Sequence, residues 1–232
     1  MDQDKIWDHF QTTRVDAFDH ARGRYAALVR AALRRSRGRP GKVLNIGIGA
    51  GAVERLLQRQ GWKVAALDPS SEAVAALSRD GIDARCGYGQ DMPFDAAAFD
   101  VVIASEVLEH LEADIRSRTL AEIERVLADR GSFIGSVPYR ENLADAEVVC
   151  PDCGKVFHRW GHVESFDIPR LVEELNPRFE DIVCRRTSFV DWARARTPAG
   201  LLKAAVQSAL GRLGQPIASP SILFSARKRR AA

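Results

Sequence analysis

Residues 42–60, KVLNIGIGAGAVERLLQRQ, join a short apolar run, three glycines and an amphipathic run. This order predicts a buried strand at 42–46, a tight glycine loop at 47–51 and a helix at 53–60. Glycines let the backbone approach a ligand closely, and the first turn of a helix offers unpaired N–H groups to it. The stretch therefore predicts a ligand site, although its G-x-G-x-x-A spacing alone also fits a dinucleotide-binding loop.

Strands and helices continue to alternate outward from this stretch. Further apolar runs predict strands at 64–67, 83–86, 99–104, 132–137, 179–185 and 221–226. Amphipathic runs predict one or two helices within 4–36, a helix capped by Ser70 or Ser71 that runs to about 79, and helices at 114–128, 168–175 and 198–213. Such repeats predict the α/β class, with a mainly parallel, seven-stranded sheet and helices on both faces.

Composition narrows the class of protein. The chain has 232 residues, 46% hydrophobic and 28% charged, which suits one large domain and excludes a disordered polymer. With 17 glycines and 4 cysteines, it is neither collagen-like nor a disulfide framework. The 34 basic and 31 acidic residues nearly balance, which argues against a nucleic-acid partner. Residues 1–10 lack the pattern of a signal peptide, and no apolar run reaches the roughly 20 residues of a membrane span, so we expect a cytoplasmic protein.

Polar residues stand at the ends of the later predicted strands. They are Asp68 after the second strand, Gln90, Asp91 and Met92 after the third, and Ser105-Glu-Val-Leu-Glu-His-Leu111 after the fourth. With the glycine loop, these residues resemble class I S-adenosylmethionine-dependent methyltransferases, of the branch that includes small-molecule O-methyltransferases. The resemblance covers about 40–137 well and the remainder in general layout.

The resemblance implies a Rossmann-like fold with S-adenosyl-L-methionine as cofactor. It implies that the cofactor-binding residues are Asn45, Gly47, Gly49, Gly51, Asp68, Gln90, Asp91, Met92 and Ser105. The glycines would pack against the methionine part of the cofactor, and Asp68 would hold the ribose hydroxyls. Gln90 or Asp91 would meet the adenine edge. Asn45 departs from the family, which usually has an acidic residue there, so the contact to the cofactor's ammonium would be weaker or rerouted.

The chain is interpreted as a single methyltransferase domain over 1–232. Within it we expect an N-terminal helical lid at 1–38, a cofactor-binding core at 39–137, a Cys/His insert at 138–166 and the C-terminal part of the fold at 167–232. The insert is too long for an ordinary connection and is rich in cysteine, histidine and aromatic residues.

The expected reaction is methyl transfer to an oxygen of a small molecule, such as a sugar or a secondary-metabolite intermediate. The transfer needs an aligned nucleophile and, for a hydroxyl, a group that removes its proton. His110, Glu106 and Tyr139 are the catalytic candidates, because each follows a strand at the edge where substrate should lie. His110 has an alternative role as a structural residue at the start of a helix.

The insert carries Cys150, Cys153, His158 and His162 with the spacing C-x2-C-x4-H-x3-H. Two thiolates on a tight turn and two imidazoles predict a tetrahedral, structural Zn²⁺ site. Two alternatives stay open. His162 begins a segment that resembles metal-free methyltransferases, and the two cysteines suit a redox dithiol.

Other functions also stay open. An RNA or protein methyltransferase would use the insert and the basic tail at 227–230 to hold a macromolecule. A regulator that binds the cofactor without turnover is a further class, and only Asn45 points to it. A nicotinamide dehydrogenase is another class, and only the glycine loop points to it. The pattern does not predict an oligomeric state.

Overall fold

A computed structural model describes residues 21–192 and 195–230. The main sheet contains β1 (Lys42–Ile46), β2 (Lys63–Asp68), β3 (Asp83–Cys86), β4 (Phe99–Ser105), β5 (Leu127–Pro138), β8 (Phe179–Thr187) and β9 (Ser221–Lys228), and the short strands β6 (Glu147–Val149) and β7 (Val156–His158) form a separate hairpin. The helices are α1 (Arg22–Arg35), α2 (Ala52–Arg59), α3 (Ser71–Arg79), α4 (Ala113–Val126), α5 (Ile168–Leu175) and α6 (Pro198–Leu213).

The seven strands of the main sheet follow the order β3-β2-β1-β4-β5-β9-β8. The five strands β1 to β5 run parallel, whereas β9 is antiparallel to both β5 and β8. The predicted α/β fold with a mainly parallel, seven-stranded sheet is therefore confirmed. The chain order reverses between β1 and β4, and in open α/β sheets the crevice at such a point, at the carboxyl ends of the strands, is where ligands bind.

Two apolar layers cover the two faces of the sheet. Leu44 and Ile46 of β1 pack in a cluster that includes Ile123 of α4. Val43 points the other way and packs with residues of α1 and α2, such as Leu57. Successive strand residues alternate between faces, so a continuous apolar strand can be buried on both sides.

The bounds of several elements match the predictions, and one junction does not. β1, α5 and α6 have the predicted limits, and Ser70 caps α3 by accepting the Ala73 N–H. The fifth strand begins at Leu127 instead of 132, because Leu127 already pairs with Phe99 of β4. A register shift follows in β4, and β5 passes Arg130, whose φ is 62°, before regular pairing resumes at Ser132.

The insert contains the β6–β7 hairpin, which the sequence patterns did not predict. Its two ends are joined, since Tyr139 forms a bridge with Phe166 and the Arg140 N–H donates to the Phe166 carbonyl at 2.7 Å. The part of the predicted lid within 1–20 lies outside the described residues. None of the described helices has the length and apolar character that crossing a membrane requires.

Candidate active site

A cleft of about 250 Å³ opens at the carboxyl ends of β1, β2 and β4. Its walls come from the glycine loop, the loops after β2, β3 and β4, and the first turn of α1. Arg24 and Tyr25 of α1 close one side. The cleft thus lies at the point where the strand order reverses, as expected for a ligand site of this fold.

The glycine loop contributes two of its three glycines to the cleft. Gly47 and Gly49 line it, and both have positive φ, 82° and 54°. Gly51 instead stands at the N-terminus of α2 with φ of 72°, and a Cβ there would lie 2.7 Å from Leu77 Cδ2. Gly51 therefore allows α2 and α3 to pack closely, and it does not line the cleft.

Asp68 lines the cleft at the end of β2 and is almost fully buried. Its Oδ2 accepts the Ile48 N–H at 2.7 Å, and its Oδ1 accepts the Ser70 N–H at 2.9 Å. These two bonds fix the carboxylate plane. Each carboxylate oxygen can accept a second hydrogen bond, so Asp68 can also bind a pair of hydroxyl groups.

Asn45 lies behind the glycine loop and does not line the cleft. Its side-chain amide donates to Glu54 Oε1 at 2.6 Å and to the Gly47 carbonyl at 3.0 Å. Glu54 of α2 is fully buried, and burial raises the pKa of its carboxyl to about 7. Sequence reasoning missed Glu54, although it is an acidic residue in the first turn of the helix after the loop. Asn45 therefore links the glycine loop, at Gly47, to the buried Glu54 of α2.

The loop after β3 places only one of its three predicted residues in the cleft. Gln90 lines it, together with Tyr88, which the sequence analysis missed despite being an aromatic residue in the same loop. Asp91 is exposed and lies outside the cleft. Met92 packs in the core, and its N–H donates to Glu122 Oε2 at 2.8 Å. The chain turns back into the core at Met92, which removes it from the ligand side.

Ser105 and Glu106 line the cleft at the end of β4 and share a hydrogen-bond chain. Ser105 Oγ lies 2.8 Å from Ser136 Oγ, which donates to Glu106 Oε1 at 2.7 Å. Arg24 Nη1 lies 3.3 Å from Glu106 Oε2. Glu106 also has a φ of 56°, a conformation that costs a non-glycine residue of order 1–3 kcal/mol and is found mostly at functional sites.

His110 lies in a single 3₁₀ turn after β4, lines the cleft and is buried. Burial, with a smaller effect from His162, lowers the pKa of His110 to about 3, so its ring is neutral at physiological pH. Tyr139 does not line the cleft. Its ring has the guanidinium groups of Arg140 and Arg186 at 5.5 and 5.6 Å from its centroid. The structure thus brings two of the three catalytic candidates to the cleft, because the chain turns away from it after β5.

The four predicted zinc ligands are not brought together. Cys150 and Cys153 lie at the turn of the β6–β7 hairpin, where the Cys150 N–H donates to the Lys155 carbonyl at 2.9 Å. His158 lies three residues beyond Lys155, about 10 Å along the strand, and its ring stacks on His162 with centroids 4.5 Å apart. Neither cysteine belongs to a group of three candidate ligands within residues 21–192 and 195–230. The hairpin register therefore separates the thiols from the imidazoles.

Known proteins resemble the part of the chain that builds this cleft. The sequence profile of the family described as Methyltransferase domain matches residues 44–135. A ribosomal RNA small subunit methyltransferase C from Alcanivorax borkumensis is 31% identical over 113 residues, 47% of this chain and 34% of that protein. A ubiquinone biosynthesis O-methyltransferase from Methylocella silvestris is 36% identical over 76 residues, 30% of each chain. The matched segments thus span less than half of these relatives.

A solved structure has the same fold over nearly the whole chain. It is the 1,6-didemethyltoxoflavin-N1-methyltransferase of Burkholderia thailandensis, with its substrate and S-adenosylhomocysteine bound. It is 20% identical to this chain, and the alignment covers 98% of this chain and 87% of that one with a TM-score of 0.68. The glycine loop, Asp68 and the loop after β4 fall within the matched family profile. Residues 44–135 therefore match the methyltransferase-domain family, and the chain has the fold of a methyltransferase whose structure holds S-adenosylhomocysteine.

Proposed function

We propose that the protein transfers a methyl group from S-adenosylmethionine to an oxygen atom of a small molecule. The observation that carries the proposal is the convergence of three strand ends on one cleft: Gly47 after β1, Asp68 at the end of β2, and Glu106 with His110 after β4. The first two suit the cofactor. The last two would stand beside the methyl acceptor.

The cofactor half of the cleft has a group for each part of S-adenosylmethionine. Gly47 and Gly49 leave room for the methionine chain to approach the backbone. The oriented carboxylate of Asp68 suits the two ribose hydroxyls. Gln90 and Tyr88 offer an amide and an aromatic ring to adenine. The related structure with bound S-adenosylhomocysteine supports the same choice of cofactor.

The acceptor half of the cleft presents hydrogen-bond acceptors. The Glu106 carboxylate is held by Arg24 and Ser136, so it can orient a hydroxyl group without moving. The neutral ring of His110 can accept the proton that the hydroxyl loses during transfer. A ring with so low a pKa is a weak base, so an acidic hydroxyl suits this cleft better than a simple alcohol.

Two features favour a small acceptor over a macromolecule: the walls of the cleft and the net charge of the chain. Arg24 and Tyr25 narrow the opening from the side of α1. The net charge of +3 supplies little general attraction for a nucleic acid. A secondary-metabolite intermediate meets both conditions, and one with an acidic hydroxyl suits His110 better than a sugar does. RNA or a protein would need a further binding surface.

The test is to incubate the purified protein and methyl-labelled S-adenosylmethionine with an extract separated into small-molecule, RNA and protein fractions. We expect label in the small-molecule fraction, and base-stable label would distinguish an ether from a methyl ester. The Asp68→Ala variant is the control and should transfer far less label. Label confined to RNA or protein would overturn the proposed acceptor, and S-adenosylmethionine binding without any transfer would overturn the enzymatic function.

A further inference from the structure

Three histidines and two glutamates meet where the insert touches the loop after β4. Glu109 and His110 come from that loop, and Glu141, His158 and His162 come from the insert. Two groups of three have ligand atoms within 4.8 Å of one another: Glu109–His110–His162 and Glu141–His158–His162. His162 belongs to both groups. The deeper group adjoins the cleft, because His110 lines it.

Glu109 is the unusual member of the deeper group. Its side chain is 0% exposed, and neither carboxylate oxygen has a hydrogen-bond partner on another of the described residues. Its backbone carbonyl is satisfied, since it accepts the N–H groups of Val163 and Glu164. A buried carboxylate without a partner is costly, so the site calls for a cation or a proton at these oxygens.

The two histidines beside Glu109 are oriented as metal ligands usually are. His162 Nδ1 pairs with the Glu141 carboxylate, which leaves its Nε2 for another partner. The backbone of Gly161 lies beside the ring of His110. Metal-ligating histidines generally donate their second ring N–H to a carboxylate or a backbone carbonyl. Glu141 and Gly161 therefore occupy the positions of orienting partners.

The shallower group lacks this arrangement. His158 Nδ1 accepts the N–H groups of Trp160 at 3.3 Å and His162 at 3.1 Å. In a neutral imidazole whose Nδ1 is an acceptor, the proton is on Nε2, so that nitrogen is not available to a metal. Glu141 is already paired with His162. The hydrogen bonds therefore favour the deeper group as the ligand set.

We propose that Glu109, His110 and His162 bind one divalent transition-metal ion, with Glu141 and Gly161 orienting the two imidazoles. Two histidines and one carboxylate are a ligand set of Zn²⁺ and of non-haem Fe²⁺, and the set leaves coordination positions open. Tetrahedral bonds of 2.0–2.1 Å place ligand atoms about 3.4 Å apart, so a modest contraction of the group would suffice. The ion would join the insert to the wall of the cleft. His110 cannot bind the ion and accept the acceptor's proton at the same time, so the proton-accepting role proposed above would apply to the metal-free protein. The metal-binding proposal itself does not depend on the identity of the acceptor.

The test is direct metal binding to the full chain. Apo-protein prepared with a chelator would be titrated with Zn²⁺ by calorimetry and with Co²⁺ by absorption. We expect one ion per chain and a Co²⁺ spectrum without sulfur-to-metal charge transfer. Glu109→Gln should remove stoichiometric binding, and Glu141→Gln should weaken it by roughly 10–100-fold, as for other orienting partners. The controls are His158→Gln and the double variant Cys150→Ser/Cys153→Ser, which should bind as the wild type does.

Each contrary outcome overturns the proposal. Wild-type protein that is folded by circular dichroism but binds no stoichiometric ion would do so. A sulfur-to-cobalt charge-transfer band, or loss of binding in the double cysteine variant, would assign the metal to the thiols instead. If Glu109→Gln does not fold, the wild-type Co²⁺ spectrum still excludes the thiols, and unchanged binding in His158→Gln still favours the deeper group, whereas loss of binding in His158→Gln would overturn the proposal. None of these measurements uses methyl transfer, so failure here is distinct from failure of the proposed activity.

Discussion

The cofactor edge of the sheet and the insert hold their polar side chains in different ways. At the edge, Ile46 of β1 pairs with Leu67 of β2 and with Ala104 of β4. The residues that follow these strands therefore emerge side by side. In the insert, Cys150 and His158 are only eight positions apart, yet the hairpin separates them while His162 returns to meet His158. Where strands run parallel, the residues after each strand can be expected to meet at one site. In a hairpin, closeness in sequence does not show which side chains meet.

The two regions are not independent, because Arg116 of α4 links them. Its guanidinium donates to the Leu111 carbonyl at 2.7 Å on the core side and to Glu164 Oε2 at 3.3 Å on the insert side. It also donates to Glu174 Oε1 at 2.9 Å, and the side chain is only 2% exposed. A buried ion network of this kind is sensitive to the loss of one member.

The largest expected effect is that of Arg116→Met, which should lower the free energy of unfolding by about 3 kcal/mol. The reason is that two carboxylates and a carbonyl lose a buried partner. Chemical denaturation measures this change. Arg118→Met is the matched control, because Arg118 forms an exposed pair with Asp114 and should contribute less than about 0.5 kcal/mol. Equal effects of the two substitutions would mean that the insert and the core are not coupled through Arg116.

A second prediction concerns pH and the support behind the glycine loop. The pKa of Glu54 is raised from 4.5 to about 7 in the folded chain, because its carboxyl is buried. Its contribution to stability is therefore full below about pH 4.5 and is lost as pH rises through 7. Glu54→Gln should remove this loss and make the variant more stable than the wild type by about 3 kcal/mol at pH 8. At pH 4 the two should be similar.

Denaturation of both proteins across this pH range checks the sign and the size of the effect. Glu72→Gln is the control, because Glu72 occupies the first turn of α3 and is exposed. An unchanged difference between wild type and Glu54→Gln at pH 4 and pH 8 would show that Glu54 does not titrate in this way.

The third prediction tests the cofactor edge itself. Asp68→Ala should weaken S-adenosylmethionine binding by roughly tenfold or more, because a charge-assisted hydrogen bond contributes about 1.5–3 kcal/mol. Calorimetric titration measures the affinity. Asp80→Ala is a control at the surface, where Asp80 forms a part-exposed pair with Arg55. An unchanged affinity in Asp68→Ala would reject the assignment of the ribose site.

The smallest effect is expected at the tip of the insert. The double variant Cys150→Ser/Cys153→Ser should change the free energy of unfolding by less than about 0.5 kcal/mol, because these thiols lie at a turn and outside the core. Thermal unfolding with and without a chelator measures the change. A large, chelator-sensitive loss of stability would restore the thiols as metal ligands and reverse the contrast between the two regions.

Sequence periodicity and glycine spacing predicted the sheet because each β–α unit is a local pattern. Gly47, Asp68 and Ser105 were assigned to the cofactor from the resemblance, and each lies in the cleft, at the end of a strand or directly after it. Gly51 and Met92 were assigned to the ligand, but their packing against α3 and the core depends on residues distant in sequence. Strand ends are visible in a sequence, whereas the direction of a loop after its first residues is set by packing.

The insert was less predictable for the same reason. The partners of His162 are Glu141, 21 residues earlier, and the ring of His110. A pattern search groups residues that are close in sequence, and these contacts join residues that are not.

The joined ends of the insert determine how a change in its length would act. The bridge between Tyr139 and Phe166 brings the chain back to the point at which it left the sheet. A shorter chain could close the same gap with a turn of a few residues and keep the pairing of β5 with β9. Shortening the hairpin at its tip would therefore leave the main sheet intact, whereas removing the segment around Glu164 would also remove a partner of the buried Arg116.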